Sequence, residues 1–389
     1  MDEVINKKLL IISRARYRIV DGKIYFQNLD GPYLDEIAKN FKHTSILAEY
    51  YNHVESLNLT YNFQNSVQVW DLKKKSNIFI RIKRLFLFIK KNDVIFVFMP
   101  LLTSALGIII SKLLGRIVVY YSGNPWDEAI KFNENNYLVK FIPGSIFRLF
   151  DAIIIRMSDL KLLNNNQMFE KYKNLNNIEK TKPITFLGKE NFNYLYKTEL
   201  KNSISLITIG HVLNRKGYEF LIEGIGQLYQ SNKLKKEITL HIVGKYFEDN
   251  YLNKLKKIIK KYSLTNRIIF HGLIQDKELL INLYRSSDIF IITSLSEGFP
   301  RVIWEAMSQS LPIIVTSLSN IKEELKYYPN CVYFIKPQNS FEVMNSIIDL
   351  TTDNNLRIKL IKNSHNYLTK IFNEKPSEQV LRLVHHLLN

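Results

Sequence analysis

Short apolar runs alternate with amphipathic ones along the whole chain. In the first half KKLLIIS, TSILAEYY, SVQVWDL, DVIFVFM, RIVVYYSG and AIIIRMS have the length and β-branched content of strands. Between them PYLDEIAKNF, NIFIRIKRLFLFIKK, LTSALGIIISKLL and LKLLNNNQMFEKY predict helices. The second half repeats the rhythm. Strands SISLITIG, EITLHIVG, RIIFHG, DIFIITS, LPIIVTS and CVYFIKP alternate with helices beginning near Tyr218, Asn250, Asp276, Arg301, Ile321 and Phe341. Such alternation builds parallel sheets covered by helices on both faces. The polar stretch 188–202 separates the two sets. The expectation is an α/β protein of two Rossmann-like domains facing one another across a cleft, over 1–190 and 191–370. A last helix in 371–389 is expected to return to the first domain.

One run invites a different parse. DVIFVFMPLLTSALGIIISKLLG is uncharged from Val94 to Ser111, close to the length that crosses a bilayer. Pro100 divides it into a β-rich and a helix-like half, so strand, helix, strand is the better reading.

Composition narrows the class. The chain is 46% hydrophobic and 23% charged, as globular proteins are, and its one cysteine, Cys331, excludes an internal disulfide framework and fits a reducing, cytoplasmic setting. The opening MDEVINKKLL does not read as a secretory signal. The eight histidines lack metal-ligand spacing and no Asp-x-Asp pair is present, so neither metal nor cofactor is expected. The formal charge of +18 suits nucleic acid, an anionic membrane or phosphate-bearing small molecules. It is spread over both halves, which argues against nucleic acid. One cluster, Lys73 to Lys91, carries eight basic side chains and no acid. There Ile78, Ile82, Leu85, Phe86 and Ile89 can share one helical face. Two readings stay open, a helix at the membrane interface and a lysine-rich surface helix covering a sheet.

Parallel sheets bind ligands at the carboxyl ends of their strands, which directs attention to the loops after Ile209, Val243, Phe270, Thr293, Thr316 and Tyr121. In GHVLNRKGYEF, Gly210 turns the chain out of its strand, Gly217 opens a helix, and Arg215 and Lys216 stand at that mouth. In SLSEGFPRVIWEAM, Pro300 suits the start of a helix whose first N–H groups, near Phe299 to Val302, can meet a diphosphate. Glu305 lies roughly 7 Å along the axis from that start, within reach of a ribose diol. Glu297 lies on the other side of the phosphate position, where a transferable group would sit. The alternative is that both are ordinary acids near a positive helix end.

The segment from FHGLIQDKELL through SLSEGFPRVIWEAMSQSLPIIVTS to KEEL closely resembles the signature region of glycosyltransferase family 4, retaining enzymes of the GT-B fold that use nucleotide-sugars. Its pattern falls on Glu297, Gly298, Phe299, Glu305, Ala306, Met307, Pro312, Ile313 and Ile314, and GHVLNRKG is similar to the family's Gly-Arg-x-x-x-x-Lys-Gly. The resemblance is dense over about 204–325. It implies that Lys216 holds the donor diphosphate, Glu297 contacts the transferred sugar and Glu305 the ribose, while Leu273 and Ile274 lie by the base. Gly210, His211, Arg215, Gly244, Gly298, Phe299, Pro300 and Arg301 complete the implied donor site, and Glu297 and Lys216 are the implied catalytic pair. On the acceptor side it implies Gly31 and Pro32, and the loop after Tyr121 with Ser122, Gly123, Asn124 and Trp126.

Three positions depart from the pattern: His211 stands for the usual arginine, with Arg215 able to compensate, Ser310 for a glycine, and YYSGNPWDE where many members carry a histidine. The implied activity is retaining sugar transfer to a hydroxyl of a glycan or lipid-linked acceptor. The lysine- and asparagine-rich composition fits an AT-rich bacterial source, hence capsule, O-antigen or exopolysaccharide synthesis, on the cytoplasmic side with peripheral contact to the inner membrane. An epimerase of the same architecture is the rival; for its acid/base pair the loop YYSGNPWDE offers only Asp127 and Glu128.

Overall fold

The computed structural model describes residues 5–27, 30–51, 59–71, 77–99, 101–122, 144–182, 184–185, 189–246, 248–297 and 300–389. The chain divides into two units, Met1–Ile184 with Glu374–Asn389, and Thr185–Asn373.

The first unit contains β1 (Ile5–Val20), β2 (Lys23–Phe26), β3 (Phe41–Tyr50), β4 (Tyr61–Asn62), β5 (Gln68–Asp71), β6 (Val94–Met99), β7 (Ile117–Ser122), β8 (Leu160–Leu163) and β9 (Ile178–Lys180). The parallel strands run β5-β3-β1-β6-β7-β8-β9, and β2 and β4 extend the sheet antiparallel from the far end of β1. Leu9 and Ile11 enter the core on one face and Leu10 and Ile12 the core on the other. Burial on both faces is why such strands read as continuous apolar runs. Helices Ile78–Lys91, Leu102–Leu113 and Gly144–Met157 cover one face; Asp30–Ala38 and the C-terminal helix Pro376–Leu388 cover the other.

The second unit holds β10 (Ser203–Ile209), β11 (Glu237–Val243), β12 (Ile268–Gly272), β13 (Ile289–Ile292), β14 (Ile313–Thr316) and β15 (Tyr333–Ile335), all parallel, in the order β12-β11-β10-β13-β14-β15. This is the doubly wound order. Connections leave β10 toward one edge and return to β13 toward the other, so a crevice opens between the carboxyl ends of β10 and β13.

The run 94–111 is strand and helix, as its proline indicates, and among the described residues no helix is long and apolar enough to cross a membrane. Two expectations need correction. AIIIRMS is not a strand but the end of helix Gly144–Met157: Ile154 and Ile155 are buried while Ile153 faces solvent, a helical rather than an alternating pattern. Leu160–Leu163, expected to open a helix, is β8 with all four residues buried, and the helix starts only at Asn166, capped by the Asn165 side chain. On helix Ile78–Lys91, Leu85 and Ile89 are buried, whereas Ile82 and Phe86 are exposed.

Candidate active site

The loops after β10 and β13 meet at the crevice that the strand order opens. After β10 the chain passes Gly210 and makes one 3-10 turn, Asn214–Lys216; Gly217 then starts helix Tyr218–Ser231. Gly217 has φ +61°, and a Cβ there would stand 2.4 Å from the Thr293 carbonyl oxygen. Only glycine allows the two loops to approach this closely. Gly244 is pressed against the Gly210 carbonyl in the same way, a Cβ meeting that oxygen at 2.1 Å. Its place in the site is therefore to let the first two loops touch.

The junction is tied by hydrogen bonds. Leu295 N donates to Arg215 O at 2.8 Å and Thr293 Oγ1 donates to Gly217 O at 2.9 Å. Tyr218 OH donates to Gly210 O at 2.7 Å, and burial beside Glu297 holds that phenol well above its ordinary pKa. Lys216 lies across Gly210 and reaches Glu297, Nζ to Oε1 2.5 Å. Ser294 Oγ donates to the same oxygen at 2.6 Å, and Arg215 Nη1 stands 3.4 Å from Oε2. The Asn320 amide, in the first turn of the helix Ser319–Leu325 that follows β14, donates to the Glu297 carbonyl. Glu297 is 8% exposed, Lys216 14% and Arg215 40%. The carboxylate is thus enclosed beneath a cationic mouth. His211, at the same mouth, has its pKa lowered by burial and by Lys216, Arg215 and Lys245.

Helix Arg301–Ser308 begins at Pro300 with no side-chain cap. Its first N–H groups are thus not satisfied by a capping side chain, a source of partial positive charge. Glu305 is buried and accepts from Tyr284 OH at 3.2 Å, and the charge and burial raise that tyrosine's pKa well above normal. Arg301 is half-buried, Ile274 half-buried and Leu273 exposed. At the end of the same helix Ser310 has φ +59°, the left-handed conformation for which glycine is suited, and its hydroxyl bonds to Asn193 O and, at 2.8 Å, to His365 Nε2. Gly298 and Phe299 lie outside the described residues.

In the first unit Gly31 sits under the Tyr61 ring, which a Cβ would meet at 2.6 Å, and Pro32 is exposed. Ser122 is buried at the end of β7. Gly123, Asn124 and Trp126 lie outside the described residues. A cluster missed by sequence reasoning surrounds Ser122. Tyr33 meets Phe98 edge-on and Tyr121 at a tilt, and Asn164 Nδ2 donates to Tyr121 OH at 3.2 Å. Among the described residues, the buried Tyr33 hydroxyl and Asn164 Oδ1 have no hydrogen-bond partner. Ser294, Asn320 and Tyr218 were likewise not foreseen; nothing in their local sequence sets them apart.

Two Rossmann-like units, the second with an anion-attracting crevice at its switch point, define the GT-B class of fold. Residues 194–367 match the family described as Glycosyl transferases group 1. An uncharacterized glycosyltransferase of Haemophilus influenzae is 31% identical over 186 residues, 48% of each chain. The Escherichia coli UDP-Gal:alpha-D-GlcNAc-diphosphoundecaprenol alpha-1,3-galactosyltransferase is 26% identical over 178 residues, 44% of this chain and 43% of that protein. The chain spans about half, or less, of the length of the curated relatives it matches. Among solved structures, Anabaena Alr3699/HepE in complex with UDP superposes with a TM-score of 0.69 at 16% identity, over 98% of this chain and 100% of that one, a likeness of fold.

Proposed function

We propose that the chain is a retaining glycosyltransferase that moves a sugar from a nucleoside-diphosphate donor to a hydroxyl of a glycan or lipid-linked acceptor, in the synthesis of a bacterial surface polysaccharide. The observation that carries this reading is the Lys216–Glu297 pair at the carboxyl ends of β10 and β13. An ammonium has three N–H donors. One is used on Glu297, and the others are available to a diphosphate in the crevice. Arg215 and the uncapped helix start at Pro300 add positive charge to the same place. Charge that accumulates on the departing diphosphate is then met by groups already in position, a contribution of a few kcal/mol per donor.

Glu297 orients the sugar and keeps Lys216 aimed. Glu305, fixed by Tyr284, serves the ribose hydroxyls. The acceptor hydroxyl attacks from the face the diphosphate leaves, so the anomeric configuration is kept. In the first unit, hydroxyls of the acceptor satisfy the Tyr33 hydroxyl and Asn164 Oδ1, two of the buried polar atoms without a hydrogen-bond partner among the described residues. Cationic side chains do the work on the diphosphate, so the reading requires no metal ion.

The test is a thermal-shift panel of UDP-, GDP-, ADP- and CMP-sugars on the native protein and on Lys216→Ala. A ligand at a hundredfold excess over its Kd stabilises the folded state by about 2.7 kcal/mol. One nucleotide class should stabilise the native protein and not the variant, and the product should keep the donor's anomeric configuration by NMR. No stabilisation by any donor, or an inverted product, would overturn the reading.

A further inference from the structure

We propose that the outward surface of helices Ile78–Lys91, Leu102–Leu113 and Gly144–Met157 docks onto an anionic phospholipid bilayer. The three form one layer on a single face of the first unit's sheet, with the middle helix packed against both neighbours. Their inner faces are closed by Leu85 and Ile89, Ala105 and Ile108, and Ile154 and Ile155, all essentially buried. An ordinary covering helix would turn polar residues outward. Here the outward positions are largely apolar: Phe79 is 75% exposed, Leu87 45%, Leu113 81%, Ile146 55% and Leu149 65%.

Charge identifies the partner. Arg81, Lys83, Arg84, Lys90, Lys91 and Arg156 are exposed on this layer. The three helices contain a single acid, Asp151, and it is buried and accepts from Tyr120 OH at 2.8 Å on the sheet side. The surface is therefore basic with no exposed acid in these helices. Basic side chains interleaved with apolar ones let aliphatic groups enter the acyl boundary while ammonium and guanidinium groups reach the headgroups. A nucleic-acid surface would instead present aromatic platforms for bases, whereas most of these apolar side chains are aliphatic. None of the described helices is long and apolar enough to cross a bilayer; the mode is attachment by a face. This inference does not rest on the donor-site reading.

The experiment is flotation of the full chain with vesicles of phosphatidylcholine alone or mixed with phosphatidylglycerol. Binding is expected only with the anionic vesicles, and to weaken as NaCl rises, because salt screens charges beyond about 10 Å at 0.1 M. Each basic residue removed in Lys83→Gln and Arg84→Gln should lower the partition coefficient about fivefold. Phe79→Ser with Leu149→Ser should abolish flotation at charge unchanged. Circular dichroism and nucleotide-induced thermal shifts should match the native protein in every variant. Equal binding to neutral vesicles, no binding to either, or variants that float like the native protein would each overturn the proposal. So would duplex DNA binding more tightly than the vesicles and losing affinity in the same variants.

Discussion

The Lys216–Glu297 pair makes an unusual demand on the substitution Glu297→Gln: it should tighten the binding of a free nucleoside diphosphate while stopping sugar transfer. Lys216 Nζ is 2.5 Å from Glu297 Oε1. A phosphate oxygen accepting from another N–H of the same ammonium would stand about 4.5 Å from that carboxylate oxygen, given ordinary hydrogen-bond lengths. At an effective dielectric of about 20, two unit charges at that separation repel by about 3–4 kcal/mol. The mouth is open at Arg215, so solvent and salt remove about half of this. The remaining ~1.5–2 kcal/mol corresponds to roughly 10- to 30-fold tighter binding. Glutamine keeps the shape and a hydrogen-bonding oxygen, and UDP carries no sugar, so loss of a sugar contact does not enter. Calorimetric titration with UDP, and with GDP or ADP if the panel selects them, measures Kd directly. The control Lys216→Met loses a charged hydrogen bond, about 1.5–3 kcal/mol, and should raise Kd about 10- to 150-fold. An unchanged or weaker Kd for Glu297→Gln would refute the shared ammonium.

Four further outcomes follow from the same geometry. His211 has a folded-state pKa below 6.5. The unfolded chain therefore takes up that proton first as pH falls, and His211's contribution is intact above pH 6.5 and declines below it, levelling off beneath the folded value; melting temperatures from pH 7.5 to 5 should fall less in His211→Asn. Gly217→Ala should lower unfolding free energy by about 2–4 kcal/mol and weaken nucleotide binding, because its methyl meets a backbone oxygen that no rotamer change can move; native-like urea denaturation would contradict this. For Ser310, the alanine variant loses the bonds to Asn193 and His365 and keeps the left-handed strain, whereas glycine loses only the bonds. Gly should exceed Ala by about 1 kcal/mol in urea unfolding, and equal midpoints would discount the strain. Sugar transfer should be unchanged after exhaustive treatment with EDTA, and a loss restored by a divalent ion would remove the metal-free mechanism.

The sheets were legible because strands buried on both faces announce themselves as unbroken apolar runs. Ile204 and Leu206 enter one core of the second unit while Ile207 enters the other. Where a short apolar run is ambiguous, pattern reasoning failed. AIIIRM is helical and LKLL is a strand, and only packing distinguishes them. A signal present but unused was Asp21-Gly22. Both residues have positive φ, as a two-residue hairpin requires, and they turn β1 back into β2. In the crevice, Lys216 and Glu297 stood out through their motif. Ser294 and Asn320, which complete Glu297's surroundings, did not. Tyr284's place beside Glu305 comes from a helix 21 residues upstream, a relation no local pattern encodes.

The last helix carries a consequence for how the molecule is made. Val380, Leu381 and Val384 belong to the same core as Leu9, Ile11, Val94 and Phe96, near the other end of the chain. Gln379 closes the junction by accepting from Lys182 N at 2.8 Å and donating to Lys180 O at 2.9 Å. The second unit is continuous from Thr185 to Asn373, whereas the first is assembled from two separated segments. On a ribosome, the part synthesised first is therefore finished last. The β1 sheet must wait, with one side of its core open, until residues 376–388 emerge, while the second unit has every residue it needs to fold beforehand.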